Sequence, residues 1–152
     1  MRRFFYIYKL TILSNMKVLS FYTNNFSYTL GEPNIESPIV VDKESNFSEA
    51  IVAFIHVEES DEAETLRSRE KKLTNHLKWV ARKNNTQNIV LHSFAHLSNS
   101  KASLDFTKQL LDDCQQRLKN GDYNTYQTPF GYFLNLNMEA PGFSMARIWA
   151  EL

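Results

Sequence analysis

The 152-residue sequence has one cysteine, Cys114, four glycines, four prolines and no excess of either charge. A lone cysteine excludes an internal disulfide and any zinc site built on clustered cysteines, and it fits a reducing, cytoplasmic compartment. Four scattered glycines exclude a glycine-rich phosphate loop, and neither a Gly-x-Ser-x-Gly elbow nor a His-Glu-x-x-His pair occurs. Seventeen basic residues balance seventeen acidic ones. That balance excludes coating of nucleic acid by counterion release but leaves open a shaped pocket for a single nucleic-acid end. His56, His76, His92 and His96 are spread without metal-ligand spacing, so neither a metal nor a cofactor is expected. His76, on a helix flank beside Leu77, reads as a solvated surface residue.

What is present suits one folded domain: 43% hydrophobic and 22% charged residues in a length that supports a single core. Residues 1–15 imitate a signal peptide, but Lys9 interrupts a run too short to cross a bilayer. They read as an extension outside the core, which begins at Met16, and no membrane association is expected.

β-Branched and aromatic runs predict strands at Val18–Tyr22, Ala50–Val57, Ile89–His92 and Tyr132–Met138. The polar stretch from Thr23 to Ser48 reads as a long loop holding at most a short strand at Ile39–Val41. Leu66, Leu73, Leu77 and Val80 form one helical stripe within residues 63–84, and Leu104, Thr107, Leu111, Cys114 and Leu118 another within 101–120. The acidic residues before the first helix and Gly121 after the second suit a helix start and a C-cap. A strand-like segment, Phe143–Trp149, closes the chain. The order of elements predicts a single α/β or α+β domain with a central mixed sheet and two main helices.

Two segments can carry chemistry. His92-Ser-Phe-Ala-His-Leu-Ser98 follows a buried strand directly, where open α/β sheets expose backbone groups to ligands. Thr128-Pro-Phe-Gly-Tyr-Phe133 is a turn with φ fixed at Pro129 and close backbone approach permitted at Gly131. Each alone is an ordinary connection. Together with Met16-Lys-Val-Leu19 and Glu49-Ala-Ile-Val-Ala-Phe-Ile-His-Val57, they resemble the N-terminal editing domain of archaeal threonyl-tRNA synthetases over about residues 16–149.

The resemblance implies the fold of D-aminoacyl-tRNA deacylases, a homodimer, and hydrolysis of the ester in threonine tRNA wrongly charged with serine. It also implies that Val57, Phe94, Ala95, His96, Phe130, Gly131 and Tyr132 line the pocket for the aminoacylated tRNA 3′ end, with His96 at the terminal nucleotide or holding the loop that carries water. The family continues Pro-Phe-Gly-Tyr with Tyr-Lys and has a glutamate on the last strand. This chain has Phe133 and Leu134, and Arg147 aligns near the glutamate. If the lysine orients water or an oxyanion, losing it costs on the order of a hundredfold. Arg147 is then the candidate to return a cation. The alternative is a catalytically silent module that binds a tRNA 3′ end or a protein. A chain of this length lacks aminoacylation domains, so the resemblance implies action in trans, beside a threonyl-tRNA synthetase without its own editing domain.

Overall fold

A computed structural model describes residues 15–36 and 41–152. β1 (Lys17–Pro33) and β2 (Glu44–His56) pair antiparallel, and a single 3-10 turn, Glu59–Ala63, leads to helix α1 (Leu66–Lys83). β3 (Asn88–Ser93), α2 (Leu104–Asn120) and β4 (Asn124–Gln127) follow, then β5 (Tyr132–Glu139), a 3-10 turn at Ser144–Ala146 and β6 (Arg147–Glu151). β2, β3 and β4 run parallel, whereas β5 and β6 both pair antiparallel with β1, so the sheet is mixed, in the order β4-β3-β2-β1-β5 with β6 also on β1.

Two successive crossovers, β2-α1-β3 and β3-α2-β4, advance the sheet the same way, and right-handed crossovers then put both helices on one face. The main core lies there, with Ile51, Ala53, Ile55, Ile89 and Leu91 of the sheet against Leu73, Leu77, Leu111, Cys114 and Leu118 of the helices. Thr65 caps α1 and Ser103 caps α2, each side chain accepting the backbone N–H three residues on. The opposite face gathers Phe26, Tyr28, Val52, Phe54 and Val90 into a second, aromatic-rich cluster.

Several expectations need correction. The stretch Thr23–Ser48 is not one long loop: β1 continues to Pro33 and β2 begins at Glu44. Phe26, Tyr28 and Leu30 alternate with polar neighbours and pair with Met138, Leu136 and Leu134, so the polar residues are the outer row of a strand. Gly31 fits because a Cβ there would lie 2.5 Å from the Phe133 carbonyl oxygen. The proposed strand at Ile39–Val41 falls mostly outside the described residues, as does the extension before Asn15. The acidic residues before α1 form the 3-10 turn rather than its first helical turn. Leu104, at the start of α2, is exposed rather than in the core, and Leu110, outside the expected stripe, is fully buried. His76 is half-buried and stacks on Trp79 rather than standing free in solvent, and burial lowers its pKa.

Candidate functional site

The first loop leaves the C-terminal end of β3. The Phe94 N–H donates to the Ile55 carbonyl at 2.9 Å, extending the β2/β3 ladder, and the Phe94 ring stands edge-on to Phe54. Ala95 and His96 are exposed, with the imidazole of His96 5.0 Å from the Phe94 ring. Beyond them the loop is held from beneath by polar groups. The Leu97 N–H donates to His56 Nδ1 at 3.0 Å, so the proton of this imidazole sits on Nε2, which donates to the Ser100 carbonyl at 2.5 Å. The Ser100 hydroxyl donates to Glu58, whose other carboxylate oxygen takes Lys17 Nζ at 2.6 Å. Burial alone would raise the Glu58 pKa, yet hydrogen bonds from Lys17, Ser100 and Ser98 hold it below the ordinary carboxylate value. A cleft of about 420 Å³ lies over this network, lined by Lys17, His96, Leu97, Ser98 and Asn99. Val57 is 3% exposed, its side chain in the helix-side core and its carbonyl accepting the Ala102 N–H at 2.9 Å.

The second loop leaves β4, one strand over. The Thr128 N–H donates to the Leu91 carbonyl, and the Thr128 hydroxyl shares a 2.8 Å hydrogen bond with His92 Nδ1. Burial pushes the His92 pKa down to about 4, so this ring is a neutral strut between the two loops. Pro129 is buried, and Phe130 packs on the helix-side core with Lys108 Nζ 5.9 Å from its ring centroid. Gly131 has φ +90°, and its carbonyl accepts the Asn34 N–H at 2.8 Å, which brings Tyr132 opposite Pro33. Thr128, Pro129 and Phe130 line a second cleft, of about 590 Å³, together with Phe47, Tyr126 and Asp112.

The fold therefore sets the two loops at the ends of neighbouring parallel strands and ties their roots through His92 and Thr128. His96 lines one cleft and Phe130 the other. Leu134 and Arg147 are not brought together. Leu134 lies opposite Leu30 and Arg147 opposite Phe21, nine residues apart on the same edge of β1, or roughly 30 Å at strand spacing. Leu134 packs on the aromatic face, and the exposed guanidinium of Arg147 donates to the Pro141 carbonyl at 3.0 Å. The expectation that Arg147 restores the missing cation at Leu134 is thus corrected by the register of β1. His56, Glu58 and Lys17 escaped the sequence reading, although polar residues at the end of the apolar run Ile51–Val57 are an available signal. Among the described residues, no group of three or more His, Cys, Asp or Glu is placed to hold a metal ion, and no helix is long and apolar enough to cross a membrane.

The sequence profile of one family, described as the archaea-specific editing domain of threonyl-tRNA synthetase, matches residues 16–152. The chain belongs to this family. Curated threonine–tRNA ligases are similar to this editing-domain chain: that of Pyrococcus furiosus is 28% identical over 136 residues, and that of Thermococcus sibiricus 26% over 136, each match covering 88% of this chain. The editing-domain chain spans 22% of the length of either ligase. Among solved structures, a probable eukaryotic D-amino acid tRNA deacylase superposes with a TM-score of 0.61 at 11% identity, covering 90% of this chain and 99% of the other. A c-Myc DNA unwinding element binding protein superposes with a TM-score of 0.56 at 16% identity, over 90% and 98% of the two chains. The editing-domain chain thus has the α+β fold of the D-aminoacyl-tRNA deacylases, a mixed sheet with two helices on one face.

Proposed function

We propose that the protein hydrolyses the ester of mischarged tRNA, releasing serine from tRNA(Thr). Water adds to the ester carbonyl, the bond to the terminal ribose oxygen breaks, and free serine and an uncharged 3′ end result. The observation that carries this reading is the placement of both family loops at adjoining strand ends, joined by the His92–Thr128 hydrogen bond. A second pocket is chemically warranted because one methyl group gives a synthetase only about 1–3 kcal/mol with which to reject serine. His96, exposed beside its cleft, is assigned to the terminal nucleotide, and the backbone of Ala95 and Phe130–Tyr132 to the aminoacyl ester. Arg147 receives no role in this pocket, given its distance from Leu134.

The test incubates the purified protein with tRNA(Thr) charged with serine or threonine, and with tRNAs charged with alanine or D-amino acids. Serine should be released at least about tenfold faster than by spontaneous hydrolysis while threonine is spared. No acceleration for any ester refutes the reading. Retained binding of the 3′ end without hydrolysis would favour a silent binding module, which the apolar setting of Leu134 in place of the family's lysine makes the competing reading.

A further inference from the structure

We infer that His56 is the positioning residue of the His96 loop: it holds that loop in its working shape through two backbone hydrogen bonds, without touching substrate. The inference rests on the deacylase reading for its catalytic consequence and on geometry alone for the latch.

The loop from Ala95 to Ser100 has little to hold it. Ala95, His96 and Asn99 are exposed, and Leu97 and Ser98 are only partly buried. The segment lies between β3 and α2, outside any regular element. Its order therefore has to come from specific polar contacts. His56, the last residue of β2, is fully buried and supplies two of them. Its Nδ1 accepts the Leu97 N–H and its Nε2–H donates a hydrogen bond to the Ser100 carbonyl, so one rigid ring fixes backbone groups three residues apart. Glu58 accepts the Ser100 hydroxyl at one carboxylate oxygen and is neutralised by Lys17 at the other. The stretch pinned in this way is the floor of the 420 Å³ cleft, and His96 is the residue just before the first pinned amide. A pocket walled by backbone works only while that backbone keeps its place, since a displacement of about 1 Å can cost about 100-fold in rate.

Three substitutions separate the two halves of the latch. Asparagine places its Oδ1 where Nδ1 lies and so keeps the Leu97 bond. Glutamine places its Nε2 where the ring Nε2 lies and so keeps the Ser100 bond. Alanine keeps neither. Hydrogen exchange at the Leu97 amide is read against Val90 in the β3 ladder, which reports the stability of the whole sheet. Relative to Val90, Leu97 should exchange at least about tenfold faster in His56→Ala and in His56→Gln, and near the wild-type rate in His56→Asn. Deacylation should follow the same order, with the loss in kcat rather than KM. A residue that merely filled core volume would rank His56→Gln above His56→Asn. Leu97 exchange unchanged in His56→Ala, or either readout following side-chain volume, overturns the inference. If the wild-type protein hydrolyses no ester, the deacylase reading and the positioning role fall together, while Leu97 exchange still reports whether the latch exists.

Discussion

Gly131→Ala probes the second loop at its most constrained point. The φ of +90° lies beyond the left-handed well near +57°, and holding a non-glycine residue in such a region costs about 1–3 kcal/mol. A Cβ on Gly131 would sit 2.5 Å from Ile35 Cδ1 and 2.7 Å from Cγ1. Cγ1 is bonded to Cβ and the β-branched side chain is stiff at χ1, so the clash resolves by pushing Ile35 off its rotamer at about 0.5–1.5 kcal/mol. Reduced freedom of the unfolded chain returns about 0.4–1 kcal/mol. The net loss is about 0.5–4 kcal/mol, centred near 2, or roughly 2–12 °C in Tm for a domain of this size. Thermal melts followed by circular dichroism measure it. Adding Ile35→Ala to Gly131→Ala should leave the dihedral cost in place, because only the contact is relieved. A Gly131→Ala protein melting within about 1 °C of the parent refutes the strain at this turn.

Three further outcomes are expected. Arg69→Met should destabilise by about 3–5 kcal/mol in urea melts, because it strands the buried Asp61 carboxylate that Arg69 holds at 2.7 Å; adding Asp61→Asn should recover much of that loss. His92 has its pKa lowered by burial to about 4, so below the unfolded value near 6.5 the unfolded chain takes up a proton that the folded chain refuses. Stability should be full above that value and fall as the pH drops toward 4, by at most about 3 kcal/mol, and His92→Asn should flatten that part of the stability–pH curve. The Cys114 thiol is buried against Thr74 and pushed up to about 12 chiefly by desolvation, so a thiol reagent should label it only as fast as the protein unfolds; rapid labelling of the native protein would contradict the packing of α2.

The legible parts of the fold are those whose signal is local. The runs at Ala50–Val57 and Ile89–His92 are apolar on both faces, and the stripes Leu73-Leu77-Val80 and Leu111-Cys114-Leu118 repeat at helical spacing, as burial on both sides of a sheet and one side of a helix demands. The outer half of β1 escaped because its alternation runs through Asn25, Ser27 and Thr29, whose composition imitates a loop. Its partner β5 lies far along the chain, so no local window contains the pair. The loops of the site were legible as motifs. The separation of Arg147 from Leu134 was not, because it depends on β1 offering one edge to two strands in succession. The latch at His56 and Glu58 depends on contacts between residues 41 and 42 positions apart in sequence.

That shared edge of β1 also constrains how the protein is made. Of the described strands β1 leaves the ribosome before the others, yet one side of it has no described partner until β5 and β6 follow, about a hundred residues later. At roughly 5–20 residues per second, the interval is about 5–20 s. During it Phe21, Phe26 and Tyr28 stand on a strand with an open row of N–H and C=O groups, a template for pairing with any other nascent strand. β2 can shelter one edge early, since it is next in sequence, but no described element near β1 in the chain pairs with the other. Translation speed through α2 and β4 is therefore a variable of the folding yield, and synonymous changes that slow it should increase the fraction lost to aggregation without altering the native protein.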